Sequence, residues 1–111
     1  MSDVREEAQR QLDAVRCDFE ARLGSMLEEI EFAWNSVRTA SDLVSTLQSL
    51  TELVHRLAGN AGFFGLTKVS RNASELEQAL ECAANAGLNE DRFHEINQLV
   101  EMLQMQRVGA H

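Results

Sequence analysis

The stretch Leu53-Val54-His55-Arg56-Leu57-Ala58-Gly59-Asn60-Ala61-Gly62-Phe63-Phe64-Gly65 closes a strongly periodic segment at mid-chain. On a helical wheel at ~100° per residue, Leu43, Leu47, Leu50, Val54, Leu57 and Ala61 cluster within ~40° of one line, the core stripe of an amphipathic helix. His55 falls ~120° from that line, so it points at water or at a partner. Its neighbours on that face, Gln48, Thr51, Glu52, Gly59 and Gly62, are small or polar, with Val44 the apolar exception. Gly59 is the oddity, because an interior helical glycine costs ~1 kcal/mol relative to alanine. It stands at i+4 from His55, where a side chain would lean back toward the imidazole. The residues alone allow two explanations: open access to a ring nitrogen, or close packing of another backbone. Gly62 and Gly65 are each placed to end the helix.

The same periodicity extends in both directions. Upstream, Val4, Ala8, Leu12, Val15, Phe19 and Leu23 recur at three and four, and Met26, Leu27, Ile30, Ala33, Trp34 and Val37 continue the pattern. Gly24-Ser25 is the weak point, which predicts a kink or short break there, with one helix of roughly 35 residues as the alternative. Ser36 to Ser41 is a boundary, and Thr39-Ala40-Ser41-Asp42 loosely resembles a capping box that opens the His55 helix. That helix is expected to run to about Ala61 or Gly62, leaving Phe63 and Phe64 in the connection, as a plug over the bundle end or as a docking surface. Leu66, Val69, Ala73, Leu76, Leu80 and Ala83 give the next stripe, and Gly87 is placed to terminate it. Asn89 is a good N-cap for the last helix, with Glu90 and Asp91 in its first turn; Phe93, Ile96, Val100 and Leu103 form its stripe, and the tail after Arg107 is expected to fray. Each helix is apolar on one side and the connections are short. The expected fold is all-α: one domain over 1–111, an up-down-up-down four-helix bundle over 24–108 with an extra or extended N-terminal helix over 1–23.

Composition narrows the function. Proline is absent, which suits long helices, and β-branched residues never alternate as in strands. A formal charge of −8 argues against nucleic acid or an anionic membrane as partner. No leader-like start or apolar run of ~18 residues occurs, so a cytoplasmic protein is expected. Cys17 and Cys82 are far apart and read as small core or boundary residues rather than a redox pair or zinc ligands. Glu52-x-x-His55 and Asp91-x-x-His94 have the spacing of di-iron carboxylate bundles, but all four point away from the stripes, so no metal site is expected. His94 and His111 read as surface histidines. Neither a P-loop nor a kinase glycine loop is present, so the chain is expected not to be an enzyme with its own ATP site.

His55-Arg56-Leu57-Ala58-Gly59-Asn60-Ala61 followed by Phe64-Gly65 resembles the signature of histidine-containing phosphotransfer (HPt) domains, and Ala73-Ser74-Glu75-Leu76-Glu77 resembles that family's second helix block. The resemblance covers roughly Phe19 to Val108. It implies a phosphoryl carrier in a multistep phosphorelay, with His55 as phosphoacceptor between the aspartates of receiver domains of response regulators and hybrid histidine kinases. It implies no cofactor of its own, the Mg2+ coming with the receiver. The chain departs from the pattern at Ala58, where the family commonly has lysine. Candidates to balance the charge of a phosphorylated His55 are then Lys68, Arg71 and the less well placed Arg56, since the early turns of the next, antiparallel helix are expected level with His55. The expected docking face comprises Thr51, Glu52, Ala58, Gly59, Gly62 and Phe63. A monomer is expected, with a homodimer through the N-terminal helix open. The alternative function is an HPt-like docking module that regulates a kinase or response regulator without carrying phosphate, and a plain structural or dimerising helical bundle stays open as a third.

Overall fold

A computed structural model describes residues 2–109, with side chains over 3–106; His111 lies outside the described residues. Four helices follow one another: α1 (Ser2–Asn35), α2 (Leu43–Phe63), α3 (Thr67–Ala86) and α4 (Glu90–Gly109), with a single 3-10 turn, Val37–Thr39, between the first two. They form an all-helical bundle whose first helix is extended, in an envelope of 58 × 24 × 20 Å.

α1 is one unbroken helix of 34 residues, so the break expected at Gly24-Ser25 does not occur. Leu23 and Leu27 are 2 % and 0 % exposed on either side of the glycine, and their packing outweighs its ~1 kcal/mol penalty. Entry into the core falls earlier, at Phe19, while residues 3–18 are all exposed. Val4, Ala8, Leu12 and Val15 therefore continue the core stripe without being covered by this chain.

α4 returns antiparallel along α1: the Trp34 indole Nε1 donates to Asn97 Oδ1 at 3.2 Å, and Gln104 Nε2 donates to the Leu27 carbonyl at 2.7 Å. Burial of Val37 draws the 3-10 turn onto the core, where the Arg38 guanidinium lies 3.9 Å from the Phe93 ring centroid. That turn uses Thr39, so the helix cap moves to Asp42, whose carboxylate accepts from the Ser45 N–H at 3.1 Å. Leu43, in the first turn, is 37 % exposed rather than core.

α2 runs on through Gly62 and Phe63 and closes in a Schellman motif: Leu66 N–H donates to Ala61 O (2.8 Å) and Gly65 N–H to Gly62 O (3.1 Å), with Gly65 at φ +77°. Phe64 plugs the bundle end, its ring stacked on Phe19 at 5.2 Å, whereas Phe63 is 74 % exposed. Gly87 ends α3 at φ +98°, and Asn89 caps α4 by accepting from the Arg92 N–H at 2.8 Å. α4 continues to Gly109, two residues beyond Arg107, and the rest of the tail expected to fray lies outside the described residues. Both cysteines are free and exposed, not core or boundary residues. No helix among the described residues is long and apolar enough to cross a membrane.

Candidate phosphotransfer site

His55 is in mid-α2 with 72 % of its side chain exposed, and α3 supplies its polar partner: Nδ1 lies 2.7 Å from Glu77 Oε2. A carboxylate only accepts, so the bond places the ring proton on Nδ1 and leaves the lone pair of the neutral ring on Nε2. The Glu77 side chain is only 19 % exposed, so the ring is anchored on a mostly buried carboxylate while 72 % of the imidazole side chain stays open to solvent. An exposed, oriented imidazole nitrogen of this kind is a nucleophile suited to accept a phosphoryl group.

Gly59 settles between its two explanations. A Cβ added there would meet nothing within 4 Å, so no backbone packs on it and the space one turn from His55 is open. Close helix approach occurs instead at Gly62, where an added Cβ would stand 3.2 Å from Ser70 Oγ, and that hydroxyl donates to the Ala58 carbonyl at 3.0 Å. Ala58 is 8 % exposed and belongs to the core, so its side chain offers a partner no surface. Thr51 is half-buried with its hydroxyl donating to Leu47 O at 2.7 Å, while Glu52 and Phe63 are exposed.

The expected alignment of Lys68 and Arg71 with His55 needs correction. Mid-α3, not its early turns, lies level with His55, because the connection after Phe63 is so short that the first turn of α3 packs on the last turn of α2. Lys68 lies on the far side of α3 from Glu77, about 180° round the helix, and lines a cleft with Glu20, Leu23 and Gly65. Arg56 lines the α1–α2 groove beside Glu29 and Phe32. Arg71 is exposed on the solvent side of α3, about 120° round the helix from Glu77 and roughly 9 Å along it.

Sequence reasoning did not assign Glu77 a role, although it stands in the Leu76-Glu77 block already singled out. Among the described residues no group of three or more His, Cys, Asp or Glu could hold a metal ion; His94 is exposed beside Gln98, its Nε2 3.2 Å from that side chain. No curated protein and no solved structure shows significant similarity to the chain. The Hpt-domain family model, in contrast, matches residues 2–106, nearly the whole sequence. With a surface histidine held by a carboxylate on an all-helical bundle, the chain belongs to the Hpt-domain family, the phosphocarrier modules of histidine phosphorelays.

Proposed function

We propose that the protein relays a phosphoryl group between receiver-domain aspartates in the cytoplasm, through Nε2 of His55. One observation carries the reading: Nδ1 is tied to Glu77 on a ring whose side chain is 72 % exposed, with the Gly59 opening one turn away. In the accepting step the Nε2 lone pair attacks phosphorus, the N–P bond forms, and the P–O bond to the donor aspartyl breaks, releasing the carboxylate. The Nδ1 proton stays in place, so the ring gains positive charge, and Glu77 balances it. In the return step an acceptor aspartate attacks phosphorus and the N–P electron pair goes back to Nε2. Phosphoryl transfer asks mainly for in-line positioning and charge balance, which a rigid helix and a fixed tautomer provide.

The magnesium ion is brought by the receiver. Arg71 is the cation of this chain best placed to meet the phosphoryl group or the acidic pocket that delivers it. Glu52, Thr51, Gly59, Gly62 and exposed Phe63 form the docking rim.

The test is to incubate the protein with a labelled phospho-receiver and measure acid-labile label on it. Wild-type protein takes up label, and His55→Ala takes up none at unchanged helicity. A wild-type protein that binds the phospho-receiver but stays unlabelled would overturn the relay and leave a docking module.

A further inference from the structure

We infer that Ser70 is a positioning residue for His55: its hydroxyl, seated over Gly62, sets the roll of α3 at which the Glu77 carboxylate meets the ring. A serine in a helix usually turns its hydroxyl to solvent or to a carbonyl of its own preceding turn. Ser70 Oγ instead crosses to α2 and donates to the Ala58 carbonyl at 3.0 Å. Gly62 makes room for it: an added Cβ there would stand 3.2 Å from Ser70 Oγ, though 4.0 Å from Ser70 Cβ. Among the described residues two side-chain hydrogen bonds cross this seam, Ser70 to Ala58 and His55 to Glu77. The small residues buried between them, Ala58, Ala61 and Ala73, are at most 8 % exposed. Their packing is non-directional, so it holds the helices together without fixing how α3 is turned.

The two bonds are in register on both helices. His55 and Gly62 are seven residues apart on α2, and Ser70 and Glu77 are seven apart on α3. Seven residues are two turns less ~20°, so each pair lies on one stripe, ~10.5 Å apart along the axis. Whatever fixes Ser70 against α2 therefore fixes the azimuth of Glu77 against His55. The turn at Gly65 sets which residues are level, but Glu77 is eleven residues from Leu66, roughly 16 Å along α3, and a tie at one end does not by itself oppose rolling. A carboxylate ~6 Å from the helix axis moves about 2 Å for a roll of ~20°, enough to part a 2.7 Å contact. The Ser70 bond stands between the turn and the site and opposes that roll, so the ring keeps its proton on Nδ1 and its lone pair on Nε2. The role rests on His55 being the phosphoacceptor only where a transfer rate is read; the ring's tautomer reports the clasp whether or not phosphate moves.

Nitrogen NMR of the neutral ring in the full chain, with His55 assigned by comparison with His55→Ala, tests the clasp directly. In Ser70→Ala the share of the Nε2–H tautomer should rise about threefold, toward its value in Glu77→Ala, and label uptake from a phospho-receiver should slow by about the same factor. Gly62→Ala, whose new Cβ crowds the hydroxyl at 3.2 Å, should shift the tautomer the same way. Gly62→Ala/Ser70→Ala, where the contact relaxes to 4.0 Å but the hydroxyl is gone, should match Ser70→Ala rather than wild type. The control is Ala83→Gly, a core change in α3 six residues beyond Glu77, which lowers stability but should leave tautomer and transfer within about twofold of wild type. A wild-type tautomer ratio in Ser70→Ala, its recovery in the double variant, or an equal shift in Ala83→Gly would each overturn the inference. A wild-type chain that takes up no label, with the tautomer still moved by Ser70→Ala, would end the relay reading and support the clasp.

Discussion

Replacing Glu77 with glutamine tests the site most sharply, because it keeps the side chain's shape and an oxygen that can accept from Nδ1 while deleting the charge. The 2.7 Å contact with His55 becomes a full ion pair only when the ring is cationic, as it is once Nε2 carries a phosphoryl group. For unit charges ~4 Å apart the attraction is about 1 kcal/mol in bulk water and about 4 kcal/mol near a protein surface. With the imidazole 72 % exposed, the lower end applies. A loss of about 1 to 1.4 kcal/mol in the transition state slows transfer roughly five- to tenfold. Label uptake from a phospho-receiver, timed by acid-labile counts, should show that slowing in Glu77→Gln. In Glu77→Ala, nitrogen NMR should also reveal the Nε2–H tautomer, which has no lone pair outward. Transfer in both variants within twofold of wild type would refute the positioning argument, whatever the tautomer.

Two further expectations follow from the same face. Gly59→Ala should raise stability by about 1 kcal/mol, and the melting midpoint by about 4 °C or more, since the new methyl meets nothing within 4 Å; Gly59→Leu should retain helicity but slow receiver-to-His55 transfer several-fold, and wild-type transfer in that variant would remove any role for the opening. Among the cations, Arg71→Ala should slow transfer at low ionic strength, whereas Lys68→Ala and Arg56→Ala, on other faces, should stay within twofold of wild type when followed by the same labelling assay.

The helices and the orientation of His55 were legible because both depend only on local period. Leu47, Leu50, Val54, Leu57 and Ala61 are all 2 % exposed or less, and the histidine one residue past Val54 is on the surface. The opening at Gly59 was legible as a pair of alternatives, since a wheel describes one helix and the choice depends on what the neighbouring helix does. Phe63 and Phe64 divided what had been expected of them jointly: Phe64 is the plug and Phe63 the exposed ring. Thr39 failed as a cap for a tertiary reason, because burial of Val37 commits that turn to the core.

What a wheel cannot give is the pairing between helices, and here that pairing is set by a three-residue turn. The Schellman closure makes α2 and α3 a hairpin centred on Leu66. Positions equidistant from Leu66 then face each other: Gly62 meets Ser70, and His55 meets Glu77 eleven residues to either side. Taking the early turns of α3 as level with His55 ignored this mirror relation and promoted Lys68 over Glu77. The information was present in Gly65, whose positive φ fixes the turn, and in the 22-residue separation of the two side chains. A one-residue change in the turn would rotate α3 by about 100° against α2 and carry Glu77 off the seam. The ring's tautomer, and with it the nucleophilic nitrogen, is therefore specified as much by Phe64-Gly65-Leu66 as by the histidine's own helix.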